Sequence, residues 1–320
     1  MTPTLRGSGN PQGPGKNKCV IVLSTKSSGS SAIQRLISSL AGARHVHHTR
    51  HRESETLYWT KAASALGRPQ IKMLDSEVPI PAGRARRELV SFLRKNTRDF
   101  HIPSDPRDMI FLGWEKLCES HRPVFLEKSP HHLVQWSALE LMLECEERLD
   151  STEFLYIGLI RNPMDVLYSA WSRWRTFPEE AQFEWELAYR NLQRLRERLD
   201  HRLVVVRYED MVSDIDALDP VIRFVGATRD QVPADYLHSR SISKWKDDRD
   251  YGFQLAPSVH DMARDFGYTN AELDNPENTG WETFRSRTRR AYRIRQFLLT
   301  PIRVLRRVRT SLTQNGGFLA

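Results

Sequence analysis

At 320 residues, 39% hydrophobic and 28% charged, the chain can bury one sizeable core and suits one large α/β domain better than two small ones. Its three cysteines, Cys19, Cys118 and Cys145, are odd in number and lack CxxC or Cys/His spacing, which argues against a disulfide framework or a zinc site and fits a reducing compartment. The formal charge of +8 is local: ten arginines and no lysine or acid occur from Phe284 onward, and without them 38 bases face 40 acids.

Residues 1–18, rich in Gly, Pro, Asn and Lys, read as a flexible leader. They contain no apolar run resembling a signal-peptide core, and nowhere do about 18 apolar residues follow one another, so a cytoplasmic or membrane-peripheral protein is expected. CVIVLST, Cys19 to Thr25, is a short β-branched run that reads as a buried parallel strand. A Ser/Gly turn and the helix AIQRLISSLAG follow, with Ile33, Leu36, Ile37 and Leu40 on one face and Gly42 as the stop. Further strands are expected at His45–His48, Val124–Glu127, Phe154–Ile160 and Leu203–Arg207. Helical periodicity separates them, most clearly from Gln182 to Leu199. This alternation predicts an α/β fold with a central, mainly parallel sheet covered on both faces. The stretch from Thr60 to Glu119, mostly helical and broken at Pro79, Pro81, Pro103 and Pro106, reads as a helical insertion over the sheet's active edge.

VLSTKSSGSSAIQRL sets small hydroxyl residues and one glycine between a buried strand and a helix start. Backbone N–H groups point outward from such a turn, Gly29 allows close approach, and Ser30 and Ser31 offer hydroxyls to phosphate or sulfate oxygens. Lys26 adds a movable charge beside Ser27 and Ser28. A plain helix cap uses the same residues, so the loop alone leaves both readings open. The nucleoside-triphosphate form of this turn requires a GK[ST] that is missing here. HHTRHRESETLYW contributes His45, His47, His48 and His51, but on a strand His48 points away from the first two and no cysteine or carboxylate pair completes a ligand set, so no metal is expected. VFLEKSPHHLVQW is a strand with a Lys-Ser-Pro turn that brings Lys128 to the same sheet edge, although a structural Glu127–Lys128 pair fits too. FLYIGLIRNPMDVLYSAWSRW reads as a strand ending at Arg161, with Asn162 as N-cap and Pro163 at the first helical position. Arg161 presents a planar fork at the strand's carboxyl end, and Ser169, two turns on, adds a hydroxyl on that side.

Taken in order, these motifs resemble those of sulfotransferases that use 3′-phosphoadenosine 5′-phosphosulfate (PAPS), over roughly Lys18 to Asp250 and closest in style to bacterial and carbohydrate or tyrosine members. The resemblance implies a three-layer P-loop NTPase-like fold and transfer of a sulfuryl group from PAPS to an acceptor hydroxyl or amine; a lipid, glycolipid or carbohydrate is among the acceptors compatible with the chain. It also implies adenosine 3′,5′-bisphosphate (PAP) as product and no metal. The Ser/Gly loop is similar to the family's 5′-phosphosulfate loop, a basic residue followed by S/A-G-T/S-T/S; aligned on Gly29, the basic position is Ser27, with Lys26 one residue earlier. Arg161 to Ser169 matches R-[DN]-P-x-x-x-x-x-S, whose arginine and serine bind the 3′-phosphate. EKSP resembles E-K-[ST]-P, which puts Lys128 near the sulfate and the reacting oxygen. LVVVRYEDM resembles a late strand ending in R/K-Y-E-D and implies Tyr208 beside the adenine, with a purely structural tyrosine as the other reading. SISKWKDD resembles an element that closes over the nucleotide and implies Trp245 and Arg240 as contacts. For the base, related enzymes carry a glutamate soon after the second strand, which points first to Glu55 and then to Glu53. His132 comes third, by likeness to cytosolic members with a histidine just after the corresponding lysine.

FRSRTRRAYRIRQFLLTPIRVLRRVRT reads as two basic helical pieces broken near Pro301, suited to an anionic membrane surface. Packing on the protein's own acidic surface, or on another subunit, accommodates the same pattern, and the few aromatics argue against nucleic acid. The domain reading is a leader at 1–18, a sulfotransferase domain at 19–283 and an arginine-rich amphipathic tail at 284–320. Two rival functions are a P-loop nucleotide kinase or NTPase, disfavoured by the missing GK[ST], and a catalytically silent nucleotide-binding scaffold at a membrane, motivated by the displaced Lys26. Acceptor and oligomeric state are not legible.

Overall fold

A computed structural model of the chain describes residues 16–40, 42–232, 239–275, 280–294, 297–298 and 301. Five parallel strands form one sheet in the order β2-β3-β1-β4-β5: β1 (Asn17–Leu23), β2 (Ala43–Arg44), β3 (Val124–Lys128), β4 (Thr152–Ile160) and β5 (Leu203–Arg207). Side chains alternate across a strand, and both faces here are apolar. Along β1, Cys19, Ile21 and Leu23 enter one core while Val20 and Val22 enter the other.

The first core lies under α2 (Tyr58–Ala65), α3 (Ala82–Asn96), α4 (Pro106–Ser120), α5 (Trp136–Arg148) and α7 (Pro178–Leu199). The second lies under α1 (Ser30–Ser39), α8 (Tyr208–Ser213) and α9 (Asp219–Val225). This is the three-layer α/β architecture read from the alternation of strands and helices. A third cluster, Met164, Leu167, Trp245, Tyr251, Phe253 and Phe284, joins α6 (Pro163–Trp174) to the C-terminal part of the chain. That part contains α10 (Lys244–Asp247), α11 (Pro257–Asp265), α12 (Asn270–Leu273) and α13, a helix over 281–294.

Three local expectations change. The second strand is Ala43–Arg44, not His45–His48: beyond Arg44 the polar segment leaves the sheet edge, where Ser38 Oγ takes His45 Nδ1 at 2.9 Å and Asn96 Nδ2 donates to the His48 carbonyl. The insertion is chiefly a packed layer, with Trp114 wedged between Trp59 (ring centres 4.7 Å apart, tilted) and Phe125 (5.2 Å, edge to face); the connection between α2 and α3 is what reaches the carboxyl edge. The expected boundary at residue 284 falls inside α13, whose Phe284 and Thr288 are buried against the body. Most of the leader, residues 1–15, and the expected second basic helix past Pro301 lie outside the described residues.

Candidate active site

The connection leaving β1 turns toward β2 and the one leaving β4 turns toward β5, so the crevice between β1 and β4 is where strand order reverses and where open α/β sheets bind ligands. The Ser/Gly loop and Arg161 flank that crevice. Gly29 is the N-cap of α1 at φ 88°, with no side-chain cap and no acid in the first turn, which leaves first-turn N–H groups for a ligand. A Cβ at Gly29 would run into the Tyr208 ring, so glycine is required by both backbone and space. Ser27 has φ 64°, and its Oγ is buried without a partner. Ser28 differs from expectation: its hydroxyl turns inward to Thr25 and lies 3.4 Å from the Tyr189 hydroxyl, bracing the loop from beneath. Lys26 also turns away, donating to the Leu74 carbonyl at 2.7 Å in the α2–α3 connection. Burial holds its ammonium below the usual lysine range, partly offset by Glu184 and Asp75.

Arg161 is buried, and its fork donates to the carbonyls of Ser27 (3.0 Å) and Ser241 (2.6 Å) while lying 4.7 Å from the centre of the Tyr208 ring. Its Nε is buried without a partner. Asn162 caps α6 through Oδ1 to the Met164 N–H at 2.9 Å, and its own N–H donates to Glu209 at 3.0 Å. The Arg-Tyr-Glu-Asp motif therefore supports the Arg161 turn: Glu209 anchors Asn162, and Tyr208 packs between Gly29 and Arg161. Asp165, one turn into α6, is driven by burial up to about 7; Arg161 counters that rise and Glu209 adds to it. Ser169 is half-buried on the same helix. Arg240 is exposed beside Ser241. Trp245 departs from expectation: it is wholly buried in the third apolar cluster, as its large ring packs against Met164, Leu167 and Tyr251.

The end of β3 shows why Glu-Lys-Ser-Pro occurs as a block. Glu127 and Ser129 face one way, where Glu127 accepts from Thr56 Oγ1 (2.6 Å), Ser129 Oγ (2.7 Å) and His132 Nε2 (3.3 Å). Ser129 Oγ in turn accepts the Thr56 and Leu57 N–H groups, each at 3.0 Å. Those bonds fix a segment in which Glu53, Ser54 and Leu57 all have positive φ, a run of strained positions around Glu55. Lys128 faces the other way, toward α1, and is fully buried. Its Nζ stands 3.3 Å from Ser31 Oγ and 3.5 Å from Glu55 Oε1. The Glu127–Lys128 pair considered from sequence does not form, because neighbouring strand residues point to opposite faces.

Glu53 and His132 stand apart from this cluster. The Glu53 carboxylate is 54% exposed and 3.9 Å from Arg35 at the surface, turned outward by its left-handed backbone. His132 is sealed in the buried pair with Glu127. The histidine that reaches the cluster is its neighbour His131, which the sequence reading passed over; its Nδ1 lies 3.9 Å from Glu55 Oε2. Burial, aided by the nearby Lys26, holds this imidazole well below its usual range and keeps it neutral. Only the doubled histidine after the proline could have drawn attention to it. No group of side chains suited to a metal ion occurs among the described residues.

A model of the sulfotransferase family matches residues 19–231. Among solved structures, the chain is similar to the sulfotransferase domain from the Synechococcus PCC 7002 olefin synthase, at 19% identity and a TM-score of 0.47, over 81% of this chain and 98% of that one. No curated protein matches in sequence. The family match takes in more than half of the chain, from within β1 through β5, with the Ser/Gly loop, the turn after β3 and the Arg161 turn, and on that ground the chain belongs to the sulfotransferase family.

Proposed function

We propose that this protein transfers a sulfuryl group from PAPS to an acceptor hydroxyl or amine, with Glu55 as general base and Lys128 as the cation at the reacting centre. The observation that carries this reading is the buried Lys128 ammonium held between Ser31 of the anion loop and Glu55. Burying a charge is costly unless it is paired, and here the partners are one carboxylate, partly exposed, and one hydroxyl, an arrangement that favours function over stability.

The residues present fit the donor. Gly29 leaves room for close backbone approach, the first amides of α1 carry no side-chain cap, and Ser27 Oγ and Arg161 Nε are polar atoms with unmet hydrogen bonds. In the proposed arrangement Ser30, Ser31 and the start of α1 hold the 5′-phosphosulfate, while Arg161 and Ser169 hold the 3′-phosphate. Glu55 takes the proton from the acceptor as its oxygen or nitrogen bonds to sulfur. The bond from sulfur to the bridging phosphate oxygen breaks with its electron pair, and Lys128 and Ser31 stabilise the charge that stays on PAP. Lys26, Tyr208 and Arg240 border this arrangement rather than carry the reaction.

The test is calorimetric titration with PAP, using 5′-AMP and magnesium-ATP as controls. PAP should bind without metal and better than 5′-AMP, and Arg161→Ala should weaken it on the order of 100-fold, as expected for lost hydrogen bonds to a charged phosphate. Arg161→Lys should recover part of the loss, which shows that the turn still folds. Preference for magnesium-ATP would replace this reading with a nucleotide kinase or NTPase. PAP binding without PAPS turnover on any acceptor would favour the silent scaffold.

A further inference from the structure

The outward face of α13 is built for something other than the body of the protein. Its inner face is already satisfied: Phe284 meets Trp171 and Tyr251, each at 4.7 Å between ring centres, and Tyr292 meets Phe177 at 4.8 Å. Arg285 pairs with Glu179 at 3.5 Å, and Arg287 pairs with Asp250. Farther along, Arg289, Arg290 and Arg293 are exposed and have no acidic partner among the described residues. They line a groove of about 660 Å³ together with Arg285, Ser286 and Ile294, with Glu282 as the one acid among its described lining residues.

The same end of the chain exposes apolar side chains. Ile294 is 52%, Phe297 80% and Leu298 62% exposed, half of the six large hydrophobic side chains that the described residues leave in solvent. Unpaired guanidinium groups beside bare apolar side chains match an anionic bilayer on both counts: forks meet lipid phosphates while Ile, Phe and Leu enter the boundary between headgroups and acyl chains. Nucleic acid would call for aromatic platforms, and Phe297 is the one exposed aromatic side chain among the described residues at this end.

We propose that the outer face of α13 is a docking surface for an anionic lipid bilayer. This goes beyond the donor chemistry and does not depend on it. α13 is anchored on α6, which carries Ser169, and near the start of α7, which carries Glu184 beside the α2–α3 connection, so docking would seat that flank of the candidate site at the lipid surface.

The test is co-sedimentation of the full chain with phosphatidylcholine vesicles, with and without phosphatidylglycerol, over a series of salt concentrations. Binding should require phosphatidylglycerol and weaken with salt. Replacing Arg289, Arg290 and Arg293 with glutamine should lower the partition coefficient roughly 100-fold. Phe297→Ser with Leu298→Ser should weaken binding while preserving its salt dependence. All these side chains are exposed, and PAP titration of each variant reports whether the body still folds. Absence of binding to phosphatidylglycerol vesicles overturns the proposal, as does equal binding by the arginine variant, or capture by soluble heparin or RNA when vesicles are ignored. PAP binding without vesicle binding defeats this inference alone, whereas vesicle binding without PAP binding defeats the donor reading alone.

Discussion

Two adjacent histidines, identical in type, have opposite fates because the turn after β3 sends one inward and the other to the site. His132 holds the buried Glu127, whose carboxyl burial would push upward; the charge of His132 and the hydrogen bonds from His132, Thr56 and Ser129 reverse that and bring it below the usual range. His131 borders Glu55 and stays neutral. His132→Ala should therefore cost about 3 kcal/mol in denaturant unfolding, since it strands a buried carboxylate. It should also lower turnover, because the network that clamps Thr56 and Leu57 beside Glu55 loosens. His131→Ala should act mainly on turnover, and because His131 is held well below its usual range it should contribute no step to the wild-type rate profile near the ordinary histidine value of about 6.5. A His132→Ala protein as stable as wild type would remove the clamp from the account.

At the scale of elements, the start of α6 was legible: Asn162 caps it, Pro163 opens it, and Arg161 stands at the strand exit, because capping chemistry is local. Four of the five strands were legible for a similar reason, since short apolar runs have few other places to go. Much of the rest was not, because tertiary partners decide it. Nothing local told that Ser28 would bond Thr25 and Tyr189, that Trp245 would enter a cluster with Phe284, or that His131 rather than His132 would face Glu55. Asp165 belongs with these: it occupies a first-turn position usually favourable to an acid, yet burial raises it from 3.8 to about 7. The folded state thus keeps a proton that the unfolded chain releases, and stability falls as pH rises through that interval. The loss is complete above about pH 7 and amounts to up to about 4 kcal/mol. Asp165→Asn cannot ionise and keeps an oxygen for the Ser243 N–H, which Asp165 accepts at 2.8 Å. Urea unfolding at about pH 5 and pH 8 should show the variant gaining on wild type at the higher pH. Parallel behaviour would mean that Asp165 ionises in the fold without penalty.

Across the whole molecule, the α2–α3 connection is the piece that ties the carboxyl edge together. The Gln135 side chain after β3 accepts the Ile71 N–H (2.9 Å) and donates to the Ile71 carbonyl (2.8 Å). Glu184 on α7 accepts the Leu74 N–H, Thr176 after α6 donates to Asp75 at 2.6 Å, and Lys26 from the anion loop donates to the Leu74 carbonyl. One segment thus touches the donor loop, the turn after β3 and the helices beyond β4, a convergence invisible in sequence because its bonded partners lie up to 110 positions apart. Lys26 can serve either this connection or a bound phosphate, and Lys26→Met separates the two roles while keeping most of the aliphatic stem. Loss of a charge-assisted bond to Leu74 should speed amide exchange around Leu74 and Asp75 roughly tenfold or more, with PAP affinity nearly unchanged. Unchanged exchange with a fall in PAP affinity on the order of 100-fold would instead make Lys26 a donor-loop cation that rests on the connection until nucleotide arrives.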